Sequence, residues 1–414
     1  MSSLIDYSTA IIIQAPWLIP ITSPVIADGA VLLQGNRIHA VGSSQEINKD
    51  YPTIPVRRYQ GVLMPGLVNA HMHLELSIFG TVEPENEESS MCEWIRDLLM
   101  KRMAANFTEA EIFDAAEKVL QDQYASGVVL LLDIGNSSLP EFSCPSPEIY
   151  SLLEMLGPSQ VATAQAIEAL DNLSEDIQVT GHAPYSTSPL LLQTLKKRSA
   201  QQNGLFSLHV AENRDESLLL LDGSGCFLDF LQERDAFDGT FPLITNEQLS
   251  VVDYLDKSGI LGKKSICVHC VHVSDADIAI LAQSKSQVCI CPGSNRFLHV
   301  GKAPLEQILR HGILPALGTD SIASNPVLDM WREMALLRQD HPSVTAHKVL
   351  EIATLGGARA LQRDIDYGSL QKGQSANFIA VQDAMLEKVQ NEAELLEILT
   401  TMGRPESVVR VMAA

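Results

Sequence analysis

Residues 67–73 read Leu-Val-Asn-Ala-His-Met-His, an apolar run that ends on two imidazoles. In a strand, residues i and i+2 project to the same side. His71 and His73 can therefore meet at one point at the end of such a strand. Outward from this stretch, short apolar, β-branched runs recur at 128–134, 161–167, 177–182, 205–210, 265–271, 287–292 and 313–320. Helical stretches such as 109–125, 189–199 and 274–284 lie between them, two of them opening on helix-start signals, Ser188-Pro189 and Ser274. Near-continuous apolar strands indicate a parallel sheet covered by helices. Eight strand–helix repeats predict an α/β protein, a closed (β/α)8 TIM barrel.

The informative positions are those where ionisable residues interrupt the strand ends. His71 and His73 close the first run, His182 the fourth and His209 the fifth, with Glu212 three residues on. His269 lies near the end of the sixth, and Asp320 ends the eighth within Gly318-Thr319-Asp320. A single histidine at a strand end is commonplace packing. Six such groups in a dry core would each cost roughly 2–7 kcal/mol if unpaired. The C-terminal ends of barrel strands are also where chemistry is placed. Together they read as one site. Three neutral imidazoles and one carboxylate suit zinc, and accept iron(II) or manganese. His71, His73, His209 and Asp320 are assigned to one divalent ion, whose remaining position takes a water of lowered pKa. Glu212 and His269 remain as acid and base groups beside that water.

The two ends of the chain have a different texture. Residues 8–42 and 369–382 alternate short β-rich runs with turns, and can pair as a small β-sandwich. The expected division is a sandwich domain of 1–64 plus 366–414 and a barrel domain of 65–365. The acidic stretch 79–93 follows the first barrel strand and is a candidate active-site loop.

Composition limits the partners. The 414 residues carry 51 acidic and 29 basic side chains, a net charge of −22. Such a surface repels phosphate backbones and anionic lipid, so nucleic acid and membrane are not expected, and a small molecule is. A homodimer stays open. The N-terminus lacks a secretory pattern, no apolar run reaches about 18 residues, and a reducing cytoplasm is the simplest compartment. The seven cysteines include Cys267-x-x-Cys270 and Cys289-x-Cys291. Zinc-like spacing along a strand puts i and i+3 on opposite faces, so these are read as buried thiols.

These residues resemble a known family. Pro65-Gly-Leu-Val-Asn-Ala-His71-Met-His73 is similar to the opening signature of the amidohydrolase superfamily. His182-Ala-Pro-Tyr185, His209-Val-Ala-Glu212, Val268-His269 and Gly318-Thr-Asp320-Ser-Ile-Ala-Ser324-Asn325 resemble its adenosine/S-adenosylhomocysteine deaminase and chlorohydrolase branch. The resemblance implies that Glu212 protonates a ring nitrogen, that His269 and Asp320 take the proton of the attacking water, and that His182 and Ser324 touch substrate. Binuclear relatives end the fourth strand on a carbamylated lysine; His182 stands there, so a mononuclear site and ring deamination are implied.

His71-Met-His73-Leu-Glu75-Leu-Ser77, Trp94-Ile-Arg96, Cys291-Pro-Gly-Ser294-Asn295-Arg296 and Trp331-Arg-Glu-Met look closer to bacterial 6-aminodeoxyfutalosine deaminases of menaquinone synthesis. That substrate carries a carboxylate. Arg296, then Arg96, are the candidate partners, because arginine pairs carboxylates bidentately. Trp94 is the candidate stacking platform. The alternatives are deamination of S-adenosylhomocysteine, methylthioadenosine or adenosine, a chlorohydrolase-type reaction, and a non-catalytic barrel used as a binding module.

Overall fold

The computed structural model describes residues 9–84, 90–137, 142, 144–239, 241, 244 and 250–411. The chain begins with β1 (Ala10–Leu18), whose alternation buries both faces. Ile11, Ile13 and Ala15 face one cluster, and Ala10 and Ile12 face another that includes Ile47. β2 (Ile26–Gln34) and β3 (Arg37–Ser43) follow as antiparallel neighbours. The hairpin turns at Gly35-Asn36, where Gly35 takes φ +55°, a value glycine adopts freely. The other edge of β1 is shared in parallel by β4 (Val56–Arg58) and β5 (Val62–Pro65).

One residue after β5 the architecture changes. β6 (Leu67–Met72), β7 (Val128–Gly135), β8 (Glu148–Met155) and β9 (Val179–Gly181) form one parallel sheet. β10 (Phe206–Val210), β11 (Ser265–His269), β12 (Gln287–Ile290) and β13 (Ala316–Leu317) form a second. The sheets meet at both edges, each time between a strand residue and residues just past the end of a strand. His209 N donates to His182 O at 2.9 Å, and Thr319 N and Asp320 N both donate to His71 O at 3.1 Å. The eight parallel strands match the expected number and sense, but the regular ladder is broken at these two seams.

β14 (Phe378–Val381) pairs antiparallel with β5, and β15 (Val408–Arg410) pairs with β14. The two ends of the chain thus share one seven-stranded mixed sheet. The sheet curls back on itself: residues 36–38 of the β3 edge bond to residues 373–376 just before β14, and Ile13, Leu33, Ile38, Leu63 and Phe378 pack together inside. The helix Ser44–Asp50, with Ile47 buried, covers its other face.

The third barrel strand is also not where the apolar run at 161–167 suggested. That segment belongs to the helix Gln160–Asn172, which buries Thr163, Ala166 and Leu170 along one stripe. The Ser159 hydroxyl caps it by accepting Ala162 N. The strand is β8, whose partly exposed polar residues disguise it.

A disulfide joins Cys92 to Cys226, a pairing the sequence did not suggest. It ties the helix Met91–Ala104 to the helix Cys226–Glu233. Cys267, Cys270, Cys289 and Cys291 are buried free thiols. No helix among the described residues is long and apolar enough to cross a membrane.

The cysteine pattern can be checked directly. Denatured without reductant, the chain should titrate five thiols, and seven after reduction. Reduction should lower stability by about 2–4 kcal/mol in a denaturant melt, since the bridge closes a long loop. Seven thiols in the unreduced chain would show that the bridge is not formed.

Candidate metal centre and pocket

The ionisable groups gather at the C-terminal ends of the parallel strands. One nitrogen each of His71, His73 and His209 and one oxygen of Asp320 lie within 4.8 Å of one another, all buried. Hydrogen bonds orient the rings. His73 Nδ1 meets Ile134 O, and His209 Nδ1 meets His182 O, each at 2.9 Å. Each ring therefore turns Nε2 to the cluster. His71 is fully buried, and neither of its ring nitrogens has a hydrogen-bond partner among the described residues. A buried imidazole without partners is costly. A divalent ion among these four donors would satisfy it, so the residues present fit the metal expected of them.

Asp320 is held from behind. Its Oδ2 accepts Ser294 Oγ at 2.6 Å and Ser324 Oγ at 2.8 Å. Its Oδ1 lies 3.5 Å from His71 Nε2 and 3.4 Å from His73 Nε2. Burial alone would raise this carboxyl, but the close His71 ring, with His73 and His269, holds it well below the usual carboxylate range. Glu212 goes the other way. Burial pushes it up to about 8. It is therefore a carboxylic acid at neutral pH, with Oε1 3.5 Å from His269 Nε2. His269 is lowered by burial and stays neutral, with Nδ1 fixed 2.8 Å from Asn295 Oδ1. Two carboxyls side by side are thus pushed apart in pKa, one a base and one an acid.

The backbone carries strain at the same place. Ala211, His269, Cys270 and Asp320 all adopt positive φ, between +48° and +69°. Non-glycine residues do so at a cost, and functional strand ends are where such cost collects.

A pocket opens over the cluster. His182 lines it, with Nδ1 2.7 Å from Ser186 Oγ, and Ser324 lies at its floor. One wall is the helix Met91–Ala104, which presents Met91, Trp94, Ile95 and Leu98; Phe230 and Leu298 face it. The Trp94 ring is fixed by a bond from Nε1 to Val82 O at 2.8 Å.

Neither arginine singled out from the sequence reaches the pocket. Arg296 turns to Asp340 Oδ1 at 2.8 Å and Gln339 Oε1 at 3.1 Å. Arg96 forms a bidentate pair with Glu233 at 2.7 and 2.9 Å. Both guanidiniums already have acidic or amide partners outside the site. Arg102 lines the pocket instead, donating to Asn136 Oδ1 at 3.0 Å and Glu75 Oε1 at 3.2 Å. Helical spacing could have found it, because Arg102 stands eight residues, about two turns, beyond Trp94. Glu154 also lines the pocket and was missed with its strand. Of the candidate loop 79–93, residues 85–89 lie outside the described residues.

Ser294→Ala should weaken zinc affinity about 10–100-fold, because it removes one of the two hydrogen bonds that hold Asp320 Oδ2. Competition against a chromogenic chelator reads this. Unchanged affinity would show that Asp320 is oriented without Ser294.

Comparison with known proteins agrees with this geometry. The model of the amidohydrolase family matches residues 62–414. The chain is 27% identical over 391 residues to a 5-methylthioadenosine/S-adenosylhomocysteine deaminase of Moorella thermoacetica, covering 90% of this chain and 85% of that one. It is 27% identical over 386 residues to a 5'-deoxyadenosine deaminase of Methanothermobacter thermautotrophicus, covering 87% and 83%. Among solved structures, aminofutalosine deaminase of Helicobacter pylori with methylthio-coformycin superposes with a TM-score of 0.79 at 22% identity, covering 97% of this chain and 100% of that one. A zinc-bound adenosine deaminase of Xanthomonas campestris gives 0.73 at 21% identity, covering 97% and 91%. These likenesses show the fold, a TIM barrel of the amidohydrolase kind. The chain belongs to the amidohydrolase family and is a hydrolase of carbon–nitrogen bonds.

Proposed function

We propose that the protein is a metal-dependent deaminase of adenine nucleosides substituted at the 5' position. The observation that carries this reading is the protonated Glu212 beside an ionised Asp320, at the edge of the four-donor cluster. An aminopurine needs both groups. Its ring nitrogen must gain a proton as water adds to the adjacent carbon, and its amino group must leave as ammonia. A divalent ion, zinc by the donor set, would be held by His71, His73, His209 and Asp320 and would lower the pKa of a water toward neutrality. Glu212 places its acidic proton on the ring nitrogen. Asp320 and neutral His269 receive the proton that the attacking water gives up, and it passes to the departing amine. Glu212, 3% exposed, is kept from bulk water, which keeps it protonated. His182 and Ser324 flank the ring.

For the rest of the substrate, the finer reading is 6-aminodeoxyfutalosine, which would place the reaction in menaquinone synthesis. Its support is the pocket wall of Trp94, Ile95 and Leu98 together with one cation, Arg102, suited to an aromatic group bearing a carboxylate. Methylthioadenosine and S-adenosylhomocysteine form the second reading, favoured by the names of the sequence relatives. All of these are adenine nucleosides extended at the 5' carbon.

Ammonia release by the zinc-loaded protein on a panel of these compounds, adenosine and guanine tests both levels. Preference for 6-aminodeoxyfutalosine supports the finer reading; preference for methylthioadenosine rejects it and keeps the reaction. No release from any member overturns the deaminase reading. Arg102→Met should raise KM for a carboxylated substrate about tenfold or more, with little effect on adenosine, because charged hydrogen bonds are worth roughly 1.5–3 kcal/mol.

The pH dependence follows from Glu212. A carboxyl raised to about 8 acts as an acid below that value. Turnover should therefore fall as pH rises through about 8, and Glu212→Gln should retain zinc while losing about 100-fold or more in kcat. A pH profile unchanged up to pH 10 would remove Glu212 as the acid.

A further inference from the structure

Glu154 sits near the end of β8 and is 7% exposed, yet its two carboxylate oxygens have unequal surroundings. Oε2 accepts Asn136 Nδ2 at 3.2 Å, and the same amide nitrogen donates to Glu154 O at 3.2 Å. This pair fixes the side chain. Oε1 is buried and has no hydrogen-bond partner among the described residues. The residue lines the pocket, and one of its oxygens, one nitrogen of His182 and one nitrogen of His209 lie within 4.8 Å of one another. A buried carboxylate oxygen without a donor is rare in a native structure, and where one occurs in a site it marks a position completed by ligand.

The chemistry of the missing donor can be deduced if the ligand is an adenine nucleoside, the reading on which this inference rests. Within the base, N1, N3 and N7 are acceptors, and N9 carries the sugar and has no hydrogen. The exocyclic amino group is the only N–H donor. It is the leaving group, so it lies over the reacting cluster beside Glu212 and Asp320. The unpartnered Glu154 Oε1 therefore finds no other donor on the base. The sugar offers hydroxyl donors at the 2' and 3' carbons. Glu154 adjoins His182, which flanks the ring, so it stands where a group attached to the ring would emerge.

We propose that Glu154 is a specificity-determining residue that accepts a hydrogen bond from a ribose hydroxyl, so that the enzyme selects ribonucleosides over their deoxy counterparts. The selection is independent of the 5' substituent, which lies toward the apolar wall and Arg102. A site built to bond a hydroxyl discriminates against the analogue that lacks it, because the protein group is left buried and unpaired.

The experiment compares adenosine, 2'-deoxyadenosine and 3'-deoxyadenosine on zinc-loaded wild type, Glu154→Ala and Glu154→Gln. Binding of the matching products, inosine and its two deoxy analogues, is measured by calorimetry alongside. Wild type should prefer adenosine over at least one deoxy analogue by about tenfold or more in kcat/KM, with the same order in product binding. In Glu154→Ala that ratio should fall toward one, because adenosine loses more than the analogue. Glu154→Gln preserves shape and an acceptor oxygen without the charge, and should give an intermediate ratio even if the alanine variant folds poorly. Equal handling of all three nucleosides by wild type would overturn the proposal. So would equal losses on all three in both variants, since that is the signature of a structural role. A second zinc equivalent present in wild type and lost in Glu154→Gln would reassign the residue, with His182 and His209, to a metal. If adenosine is deaminated without discrimination, only this inference fails. If no nucleoside is deaminated, the deaminase reading fails first and carries this one with it.

Discussion

The carbonyl oxygen of His71 accepts two backbone N–H groups, those of Thr319 and Asp320, each at 3.1 Å. This one contact joins the first and last strands of the parallel array, and it also sets two metal-ligand candidates against each other. It needs a close approach. A Cβ on Gly318 would come within 2.9 Å of His71 Cβ, so the strand can reach this position only with glycine there. Asn69 holds the same seam from inside, donating to Thr319 Oγ1 at 2.8 Å and accepting Thr319 N at 3.2 Å. Asp320 is then turned inward by a positive φ of +60°. Closure and ligand placement are the same event.

The surrounding polar network is costly unless complete. Glu333 is fully buried and binds Gly293 N at 2.7 Å and Asn325 Nδ2 at 2.9 Å. It therefore anchors two segments at once, the short helix Pro292–Phe297 and the loop after β13. One carries Ser294 and Asn295, which orient Asp320 and His269. The other carries Ser324. Burial raises Glu333 to about 7, the same force that protonates Glu212. The difference between them is their neighbours. Glu333 spends both oxygens on protein donors, whereas no hydrogen bond from a protein group ties up the Glu212 carboxyl in the described structure. A carboxyl of the first kind positions; one of the second kind can react.

Much of the centre was legible because its residues break an apolar period. His71, His73, His209, His269 and Asp320 are polar interruptions at strand ends, and polarity in a dry position needs a reason. The parts that were missed lack that contrast. Glu154 lies on a strand whose sequence, Glu-Ile-Tyr-Ser-Leu-Leu-Glu-Met, alternates too weakly to outrank the Ala-rich helix that follows it. Arg296 drew notice by standing next to a strand end, but sequence adjacency says nothing of where a long side chain finds its partner, and Asp340 is 44 positions away. The same limit hid the Cys92–Cys226 pair, 134 residues apart. Strands from the two ends do pair in one sheet, while the helix that covers its outer face is not revealed by local pattern.

The order in which the ligands occur along the chain has a consequence for synthesis. His71 and His73 are made early, His209 midway and Asp320 late, and the seam that brings Asp320 to His71 cannot form before that last segment has left the ribosome. The sheet of the two ends waits longer still, since β5 pairs with residues 378–381. Until Asp320 emerges the chain offers at most three of the four donors, with no closed barrel to hold them. A metal ion captured in that period would sit in an incomplete shell and exchange readily. Closure of the parallel array and completion of the four-donor cluster thus depend on the same late segment.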